Sequence, residues 1–210
     1  CEREGRWPTI VGVVVVVLIP KPEGGFRPIG LIPNMPRAWM RLRRIEAKAW
    51  EIGCDRQYLY AGTGRGSTVA AWKQAARAEA AKAGGHQSAQ SLLDLVKAFE
   101  RIPYRILLRE AKRLNYPIRL IRLAIITYRL PRVIRVGQAY SDLIWATRGI
   151  VAGSGLATTE MRIVMINLVE KALRAHPPVT PTVFVDDLAA ESAGPDSWIK
   201  VELGVFITII

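Results

Sequence analysis

The sequence predicts an α+β fold in which helices cover one face of a small β-sheet. Half of its 210 residues are apolar, which is enough for a sizeable core in one large domain or two interleaved subdomains. Short runs of β-branched residues are interspersed with longer segments whose apolar residues recur at helical spacing. Because strands and helices lack the regular alternation of a parallel βαβ sheet, an α+β arrangement is favoured.

The first strand is predicted at residues 10–19, an apolar run that Pro20 closes. This run is too short to cross a bilayer, and no membrane partner is expected. A helix follows at residues 36–51. Its apolar side is predicted to consist of Trp39, Leu42, Ile45, Ala49 and Trp50. Its other side carries Arg37, Arg41, Arg44 and Lys48, and this basic side either contacts phosphates or is a solvated face.

A glycine-rich loop, GTGRG at residues 62–66, precedes an alanine-rich helix that ends at Gly84 and Gly85. Ser67 or Thr68 is predicted to cap the N-terminus of this helix. The loop lacks the lysine and the preceding strand of a P-loop. We therefore interpret it as a structural turn.

The remaining elements are predicted from the same patterns of spacing and from the prolines that open helices. They are a strand at 89–95 carrying Asp94, helices opened by Pro103 and Pro117 that end near residues 114 and 130, paired strands at 132–136 and 143–147, a helix at 158–175, and a strand at 182–187. The apolar face of the helix opened by Pro117 is predicted to be Leu120, Ile121, Ala124, Ile125 and Tyr128.

The net charge of +12 is unevenly distributed along the chain. Residues 1–147 contain 25 Lys or Arg and 11 Asp or Glu, a balance of +14, whereas residues 148–210 contain 5 and 7, a balance of −2. A basic region followed by an acidic one suits a polyanion held near cations that carboxylates bind. A merely soluble basic surface is the alternative.

Cysteine usage indicates the compartment. Two cysteines, Cys1 and Cys54, provide neither a disulfide framework nor zinc-ligand spacing, so an intracellular, reducing setting is expected. The chain starts without methionine and stops inside the apolar run VFITII, and we expect it to be a fragment of a longer protein.

Two adjacent acids, Asp186 and Asp187, directly follow the apolar strand residues. One interpretation is a turn at the strand end, where Asp is common. The other is a metal site, because a buried carboxylate is costly unless it is paired, hydrogen-bonded or bound to a metal. Asp94 ends another strand, and acids from separate strands can converge on the two cations of phosphoryl transfer, for which magnesium is suited. Since neighbouring strand residues point to opposite faces, Asp186 is the preferred ligand and Asp187 requires a tight turn.

Several motifs in fixed order resemble reverse transcriptases of the non-LTR, group II intron and retron-like kind, over residues 19–192. IPKPEGGFRPIGLIP resembles the fingers motif of this family, and GTGRGST resembles the family's glycine-Arg-Ser-Thr segment, which precedes a helix. SLLDLVKAFERIP is similar to motif A, RGIVAGSG to motif B and FVDD to motif C. FVDD alone is a weak signal, but the ordered set favours the metal site over the ordinary turn.

The resemblance implies a set of catalytic and metal-binding residues. Asp94 and Asp186 would bind metal, the carbonyl of Leu95 would assist, and Asp187 would be the third catalytic acid. The implied cofactor is a pair of Mg²⁺ ions, with Mn²⁺ as an alternative.

The resemblance also implies four nucleotide-binding residues. Lys21 and Arg27 would contact the incoming triphosphate, with a solvated loop pair as the alternative. Phe99 stands where the family places the aromatic that excludes ribonucleotides, although an ordinary core phenylalanine has the same pattern. Gly153 would let the backbone approach the nucleotide or template closely, or is a plain loop glycine.

This sequence departs from the family in motif B. Gln usually precedes its glycine and Pro-Leu-Ser follows, whereas the chain has Ala152 before it and Gly155, Leu156 and Ala157 after it. An amide that positions the nucleotide is therefore absent. In motif A, Glu100 replaces the second Asp, a milder change because that residue need not bind metal.

The resemblance implies the fingers and palm of a polymerase right hand, with a small antiparallel palm sheet backed by helices and the thumb missing. The fingers would be residues 1–87 and 116–145, and the palm residues 88–115 and 146–210. The implied activity is RNA-directed DNA polymerisation, with an RNA template, a DNA primer and deoxynucleoside triphosphates as partners. A catalytically silent palm that binds RNA and an RNA-dependent RNA polymerase are the alternatives.

Overall fold

The computed structural model describes residues 1–62 and 64–209. Thr63 of the predicted glycine loop and Ile210 at the end of the predicted palm lie outside these ranges. The chain divides into two compact units. The first contains Cys1–Gly53 and Lys97–Ile163, and the second contains Cys54–Val96 and Val164–Ile210.

Strands and helices are interspersed along the chain. The strands are β1 (Val14–Pro20), β2 (Phe26–Leu31), β3 (Gln87–Asp94), β4 (Arg132–Val136), β5 (Ala139–Tyr140), β6 (Thr180–Phe184) and β7 (Asp187–Gly194). The helices are α1 (Asn34–Gly53), α2 (Ser67–Ala83), α3 (Ala98–Arg101), α4 (Tyr104–Arg113), α5 (Ile118–Tyr128), α6 (Ala157–Ala175) and α7 (Asp196–Ile209). Within the described ranges, no helix is long and apolar enough to cross a bilayer. Neither Cys1 nor Cys54 belongs to a disulfide in the part of the chain that the structure describes.

The first unit contains a four-stranded sheet in the order β2-β1-β4-β5. β1 pairs antiparallel with β2 and parallel with β4, so the sheet is mixed. β1 starts later than predicted because a short 3₁₀ turn and Gly12, at φ 69°, redirect the chain before Val14. β2 was not predicted, because its Pro28 weakens any strand pattern. As an edge strand, β2 tolerates a residue that has no N–H.

The partner of β4 differs from the prediction. Residues 143–147 were expected to pair with it, but Ala139 and Tyr140 do so, opposite Val136 and Arg135. Gly137, at φ 60°, allows the chain to reverse immediately after β4. Ile144 contributes only an isolated bridge to Arg132.

Helix α5 is central to the core of the first unit. Its predicted apolar face is confirmed, because Leu120, Ile121, Ala124 and Tyr128 are fully buried. The predicted face of α1 is wrong in part. Leu42 and Ile45 are 74% and 80% exposed, and Pro36, Met40 and Ala47 are the residues of α1 that are buried.

The second unit contains a three-stranded antiparallel sheet in the order β3-β7-β6. Its central strand β7 was not predicted, because its alanines, Glu191, Ser192 and Gly194 are weak strand formers that only pairing on both sides stabilises. Helices cover both faces of this sheet rather than one. Arg77 of α2 pairs with Glu191 of β7, and Trp198 of α7 lies against Gly194 of the same strand. Because Glu191 and Gly194 are three residues apart in the strand, they face opposite sides of the sheet.

The start of α2 also differs from the prediction. Its N-cap is Gly66, in an extended conformation and without a side-chain capping hydrogen bond, rather than Ser67 or Thr68. Its C-cap is Gly84, as the glycine pair predicted.

We expect Leu120→Ala to lower the free energy of unfolding by about 2–5 kcal/mol, because it leaves a cavity around a side chain that is fully buried in α5. The matched control is Leu42→Ala on the exposed face of α1, which should change stability by less than about 0.5 kcal/mol. Urea unfolding followed by circular dichroism measures both. Equal effects would show that the side of α1 that carries Leu42 is packed.

Candidate active site

Two of the predicted acids face each other across the sheet of the second unit. Asp94 is the last residue of β3, Asp187 is the first residue of β7, and they are directly paired in the antiparallel ladder. Opposed Cα atoms in such a ladder are about 4.5–5.5 Å apart and their side chains share a face. The structure therefore brings Asp94 and Asp187 together at one end of the sheet, and both are exposed.

Asp186 lies in the turn between β6 and β7. Phe184 pairs with Asp187, which leaves Val185 and Asp186 as a two-residue hairpin turn. Val185 has a φ of 62°, a left-handed conformation that a β-branched residue rarely adopts. The alternation of side chains along a strand favoured Asp186 over Asp187 as a ligand. The alternation argument does not apply here, because the pair spans a turn and a strand start, and the preference for Asp186 as the ligand stays a prediction.

An open cavity of about 350 Å³ lies beside the facing acids. Asp94 and Asp187 line it together with Phe184 and with Ser67 and Gln74 of α2. A second cavity, of about 570 Å³, shares Gln74 with the first. Its lining includes Gln90, Glu191 and Thr180, which pair across the three strands on the same sheet face as Asp94. Both cavities lie between α2 and this face of the sheet, and together they follow the strands from the acids.

The facing acids suit a hard cation with few protein ligands. Among the described residues, no three His, Cys, Asp or Glu side chains are grouped closely enough to form a ready metal site. Magnesium usually takes one or two carboxylates and completes its shell with water and substrate phosphate, which Asp94 and Asp187 can satisfy. Leu95 follows Asp94 outside the β3–β7 ladder, so its carbonyl is not used in that pairing.

Lys21 and Arg27 belong to the first unit, in the hairpin that joins β1 and β2. The Lys21 N–H donates to the Gly25 carbonyl at 3.1 Å, and the Gly24 N–H donates to the Lys21 carbonyl at 3.1 Å. Arg27 pairs in the ladder with Ile19. Both cations are exposed, and the Nζ of Lys21 lies 3.8 Å from Oε1 of Glu23. The hairpin thus presents two cations to solvent.

Phe99 is half-buried in the short helix α3 of the first unit. Its carbonyl accepts a hydrogen bond from the Ile150 N–H at 2.8 Å, and the Gly149 N–H donates to the Ile102 carbonyl at 2.8 Å. A Cβ at residue 149 would lie 2.7 Å from the carbonyl oxygen of Glu100. The segments that resemble motifs A and B are therefore joined backbone to backbone, and Gly149 makes this contact sterically feasible.

Gly153 has a structural role in the first unit. Its φ is 105°, and a Cβ there would lie 2.7 Å from the carbonyl oxygen of Gly30 in β2. The Gly30 N–H donates to the Ala152 carbonyl at 2.9 Å. The glycine thus allows this loop to contact β2, while its predicted contact with a nucleotide stays a prediction.

Comparison with known proteins gives a result at the level of structure. No family model and no curated protein sequence matches the chain. Apo telomerase from Candida tropicalis, truncated from its C-terminal domain, matches 97% of this chain with a TM-score of 0.65 and 14% identity. Candida albicans telomerase, in complex with the TWJ fragment of telomeric RNA, matches 96% with a TM-score of 0.64 and 13% identity. The chain spans 47% and 40% of the lengths of these two proteins.

The fold is reverse-transcriptase-like. At 13–14% identity the similarity concerns the fold alone. The mixed four-stranded sheet, the antiparallel three-stranded sheet and the surrounding helices are consistent with part of the fingers and palm.

A buried polar cluster that the sequence patterns did not predict lies within this reverse-transcriptase-like fold. Glu160 of α6 is fully buried and accepts a hydrogen bond from the Tyr128 hydroxyl at 2.5 Å. That hydroxyl lies 2.7 Å from Oγ of Ser154, in the segment that resembles motif B. The sequence signal is an acid that lies at helical spacing from Leu156 and Ile163, on the side of the helix where apolar residues recur.

The cluster changes the ionisation of its members. Burial raises the pKa of Glu160 to about 8, although the hydrogen bond from Tyr128 acts in the opposite direction. Burial and the neighbouring Glu160 raise the pKa of Tyr128 well above its ordinary value. Oε1 of Glu160 and the hydroxyl of Tyr116 are buried without a hydrogen-bond partner among the described residues. A neutral Glu160 is therefore favoured at pH 7.

We expect the stability of the chain to fall as pH rises from 4.5 to about 8 and then to level off, because over this range unfolding releases a proton that Glu160 keeps in the folded state. Because the pKa of Glu160 in the fold lies above its ordinary value of 4.5, the contribution of Glu160 to the free energy of unfolding is fully present below pH 4.5. This contribution is lost as pH rises through about 8. The difference in the free energy of unfolding between the unchanged protein and Glu160→Gln should change by at most about 1.4 kcal/mol per pH unit. Urea unfolding between pH 6 and 9 measures it.

The control for this experiment is Glu79→Gln, which changes an exposed acid of α2. It should keep the pH dependence of the unchanged protein. A constant stability difference between the unchanged protein and Glu160→Gln across this range would show that Glu160 is already ionised in the fold.

Proposed function

We propose that this chain is part of an RNA-directed DNA polymerase that adds deoxynucleotides to a primer on an RNA template. The observation that carries the proposal is the register that sets Asp94 opposite Asp187 on an open cavity, with Asp186 in the adjoining turn. The reverse-transcriptase-like fold supports it. The order of the sequence motifs supports it independently, and also favours a retroelement of the non-LTR, group II intron or retron-like kind.

In this proposal the three-stranded sheet belongs to the palm and the four-stranded sheet to the fingers. The predicted bounds are fingers at residues 1–87 and 116–145 and a palm at residues 88–115 and 146–210, whereas the two compact units divide the chain after Gly53, Val96 and Ile163. Asp94, Asp187 and Asp186 would hold Mg²⁺, or alternatively Mn²⁺, with help from the carbonyl of Leu95. When bound, the ions would lower the pKa of the primer hydroxyl and stabilise charge on the phosphates.

The other predicted residues, which all belong to the first unit, would bind and orient the nucleotide. Arg27 offers a planar fork of donors to a phosphate, and Lys21 offers a compact charge, both on the solvent side of one hairpin. Phe99 would pack under the sugar and exclude a 2′-hydroxyl. Gly153 would hold the loop of residues 152–155 beside the nucleotide. Positioning of this kind supplies a large part of the rate of nucleotidyl transfer.

The proposed partners are an RNA template, a DNA primer and deoxynucleoside triphosphates, in an intracellular setting. The excess of +14 charges in residues 1–147 would hold nucleic acid through its phosphates. One structural neighbour, the Candida albicans telomerase, is itself in complex with a fragment of telomeric RNA. This is consistent with a nucleic-acid partner for the present chain.

The altered motif B favours a second function, a catalytically silent palm that binds RNA. Ala152, Gly155 and Ala157 replace residues that the family uses around the nucleotide. Ala152 instead contributes its carbonyl to the hydrogen bond with Gly30. A silent palm would keep this contact and the basic surface but would extend no primer.

We expect Asp94→Asn and Asp187→Asn each to reduce primer extension at least about 10³-fold, because each removes a carboxylate from the proposed metal site. RNA affinity and its salt dependence should stay nearly unchanged, since they depend on the basic residues. Extension of a primer on an RNA template with Mg²⁺ or Mn²⁺ and filter binding to the same RNA measure the two effects.

The control variant is Asp142→Asn, an exposed acid of the first unit outside the proposed site, which should extend primers normally. Asp186→Asn determines how much the turn residue contributes. If the unchanged protein binds RNA but extends no primer with either ion, the silent palm is the function.

We expect Phe99→Val to increase ribonucleotide incorporation about 10- to 100-fold relative to deoxynucleotide incorporation, because a smaller side chain leaves room for a 2′-hydroxyl. Competition between the two nucleotide types in primer extension measures this ratio. The melting temperature of the same variant is the control. Unchanged discrimination together with a lower melting temperature would show that Phe99 is only a packing residue of α3.

A further inference from the structure

The outward face of α1 carries a continuous apolar stripe. Leu42, Ile45 and Ile52 are 74%, 80% and 71% exposed. Met35 and the exposed Ala38 and Ala49 complete a series in which successive members are alternately three and four residues apart. This is the heptad spacing with which one helix packs along another.

The stripe is not part of the core of the first unit. Met40 and Ala47, the fully buried residues of α1, are seven residues apart and define one side of the helix. Leu42 and Ile45 lie two residues away from Met40 and Ala47 respectively, which corresponds to the opposite side at 100° per residue. An exposed apolar face of this kind marks an interaction surface more often than a solvated helix face.

One edge of the stripe is basic and only partly compensated. Arg41 and Lys48 are the basic residues that directly flank the stripe, and Arg41 is exposed and forms no hydrogen bond or ion pair with the side chains that the structure describes. The Nζ of Lys48 lies 3.9 Å from Oε2 of Glu51, and the Arg37 guanidinium donates a hydrogen bond to Oδ1 of Asn34. On the other edge, Glu46 is already paired with Arg119.

We propose that this face of α1 binds an amphipathic helix of another polypeptide, with an apolar heptad stripe bordered by Asp and Glu. The apolar residues would pack against Leu42, Ile45 and Ile52, and the acids would pair with Arg41 and Lys48. Nucleic acid fits the surface less well, because phosphate contacts use the cations and leave three large aliphatic side chains in water.

A second copy of the chain also fits less well. In an antiparallel pair, the basic edge of one α1 would lie beside the same basic edge of the other, and like charges there are unfavourable. In a parallel pair, the basic edge would meet the edge carrying Glu46, whose carboxylate is already bound to Arg119. An acidic helix satisfies both the shape and the charge of the surface.

The test uses a synthetic helix of about three heptads with Leu at the a and d positions and Glu at the flanking positions. Binding of the fluorescein-labelled peptide to the chain is measured by anisotropy at increasing salt. We expect saturable binding that weakens with salt. A peptide with Lys in place of Glu should bind at least about tenfold more weakly, and so should one with the same residues out of heptad order.

Two double variants locate the site. Leu42→Gln with Ile45→Gln should weaken binding at least about tenfold, and Arg41→Glu with Lys48→Glu should do the same and remove the salt dependence. Ile10→Gln, at an isoleucine that is 85% exposed outside α1, and Arg105→Glu, at an exposed arginine of α4, are the controls and should bind normally. Circular dichroism confirms that each variant is folded.

Three outcomes would overturn the proposal. The first is absence of peptide binding, or equal loss in the control variants. The second is binding of a single-stranded RNA of similar length that depends on Arg41 and Lys48 but not on Leu42 and Ile45, together with no peptide binding. The third is a dimer in sedimentation that Leu42→Gln with Ile45→Gln dissociates, which would make a second copy the occupant.

Discussion

The antiparallel pairing of β3 with β7 is the constraint on which the candidate site depends. It fixes Asp94 opposite Asp187 and, through the β6–β7 hairpin, fixes Asp186 beside them. A slip of one residue in this ladder would move the side chain of Asp94 or Asp187 to the other face of the sheet. The buried residues Leu188 and Ala190 oppose such a slip. It would turn them out of the core and turn their polar neighbours Asp187 and Glu191 into it. The apolar side of β7 thus determines the geometry of its polar end.

Close backbone contacts perform a similar function in the first unit. The segment resembling motif B is held at Gly149 against Glu100 and at Gly153 against Gly30, in both cases at distances that a side chain would prevent. The buried cluster of Tyr128, Ser154 and Glu160 connects the same segment to α5 and α6. Glycine is thus required in this segment by protein packing alone, so its presence there is weak evidence for nucleotide binding.

Strong local patterns were sufficient to predict α5, α6 and the strand before the acids, because their apolar spacing matches the burial that the fold imposes. Three features depended on tertiary context and were missed. β7 is stable only between two partners, β2 carries a proline that an edge position tolerates, and the pairing of Asp187 depends on where the hairpin turns. The error in α1 has a different cause. The helix has two apolar sides, and the hydrophobic pattern does not identify which of them faces the core.

The left-handed Val185 has a further consequence, for the energetics of the hairpin. A β-branched residue at φ 62° raises the energy of the folded state by about 1–3 kcal/mol, which glycine or asparagine would largely avoid. The half-buried apolar side chain therefore holds the turn in one conformation at the expense of thermostability. Glycine at this position would relieve the strain but would also give the adjoining carboxylates more conformational freedom. Attempts to make this chain more heat-resistant would thus compete directly with the rigidity of its acidic turn.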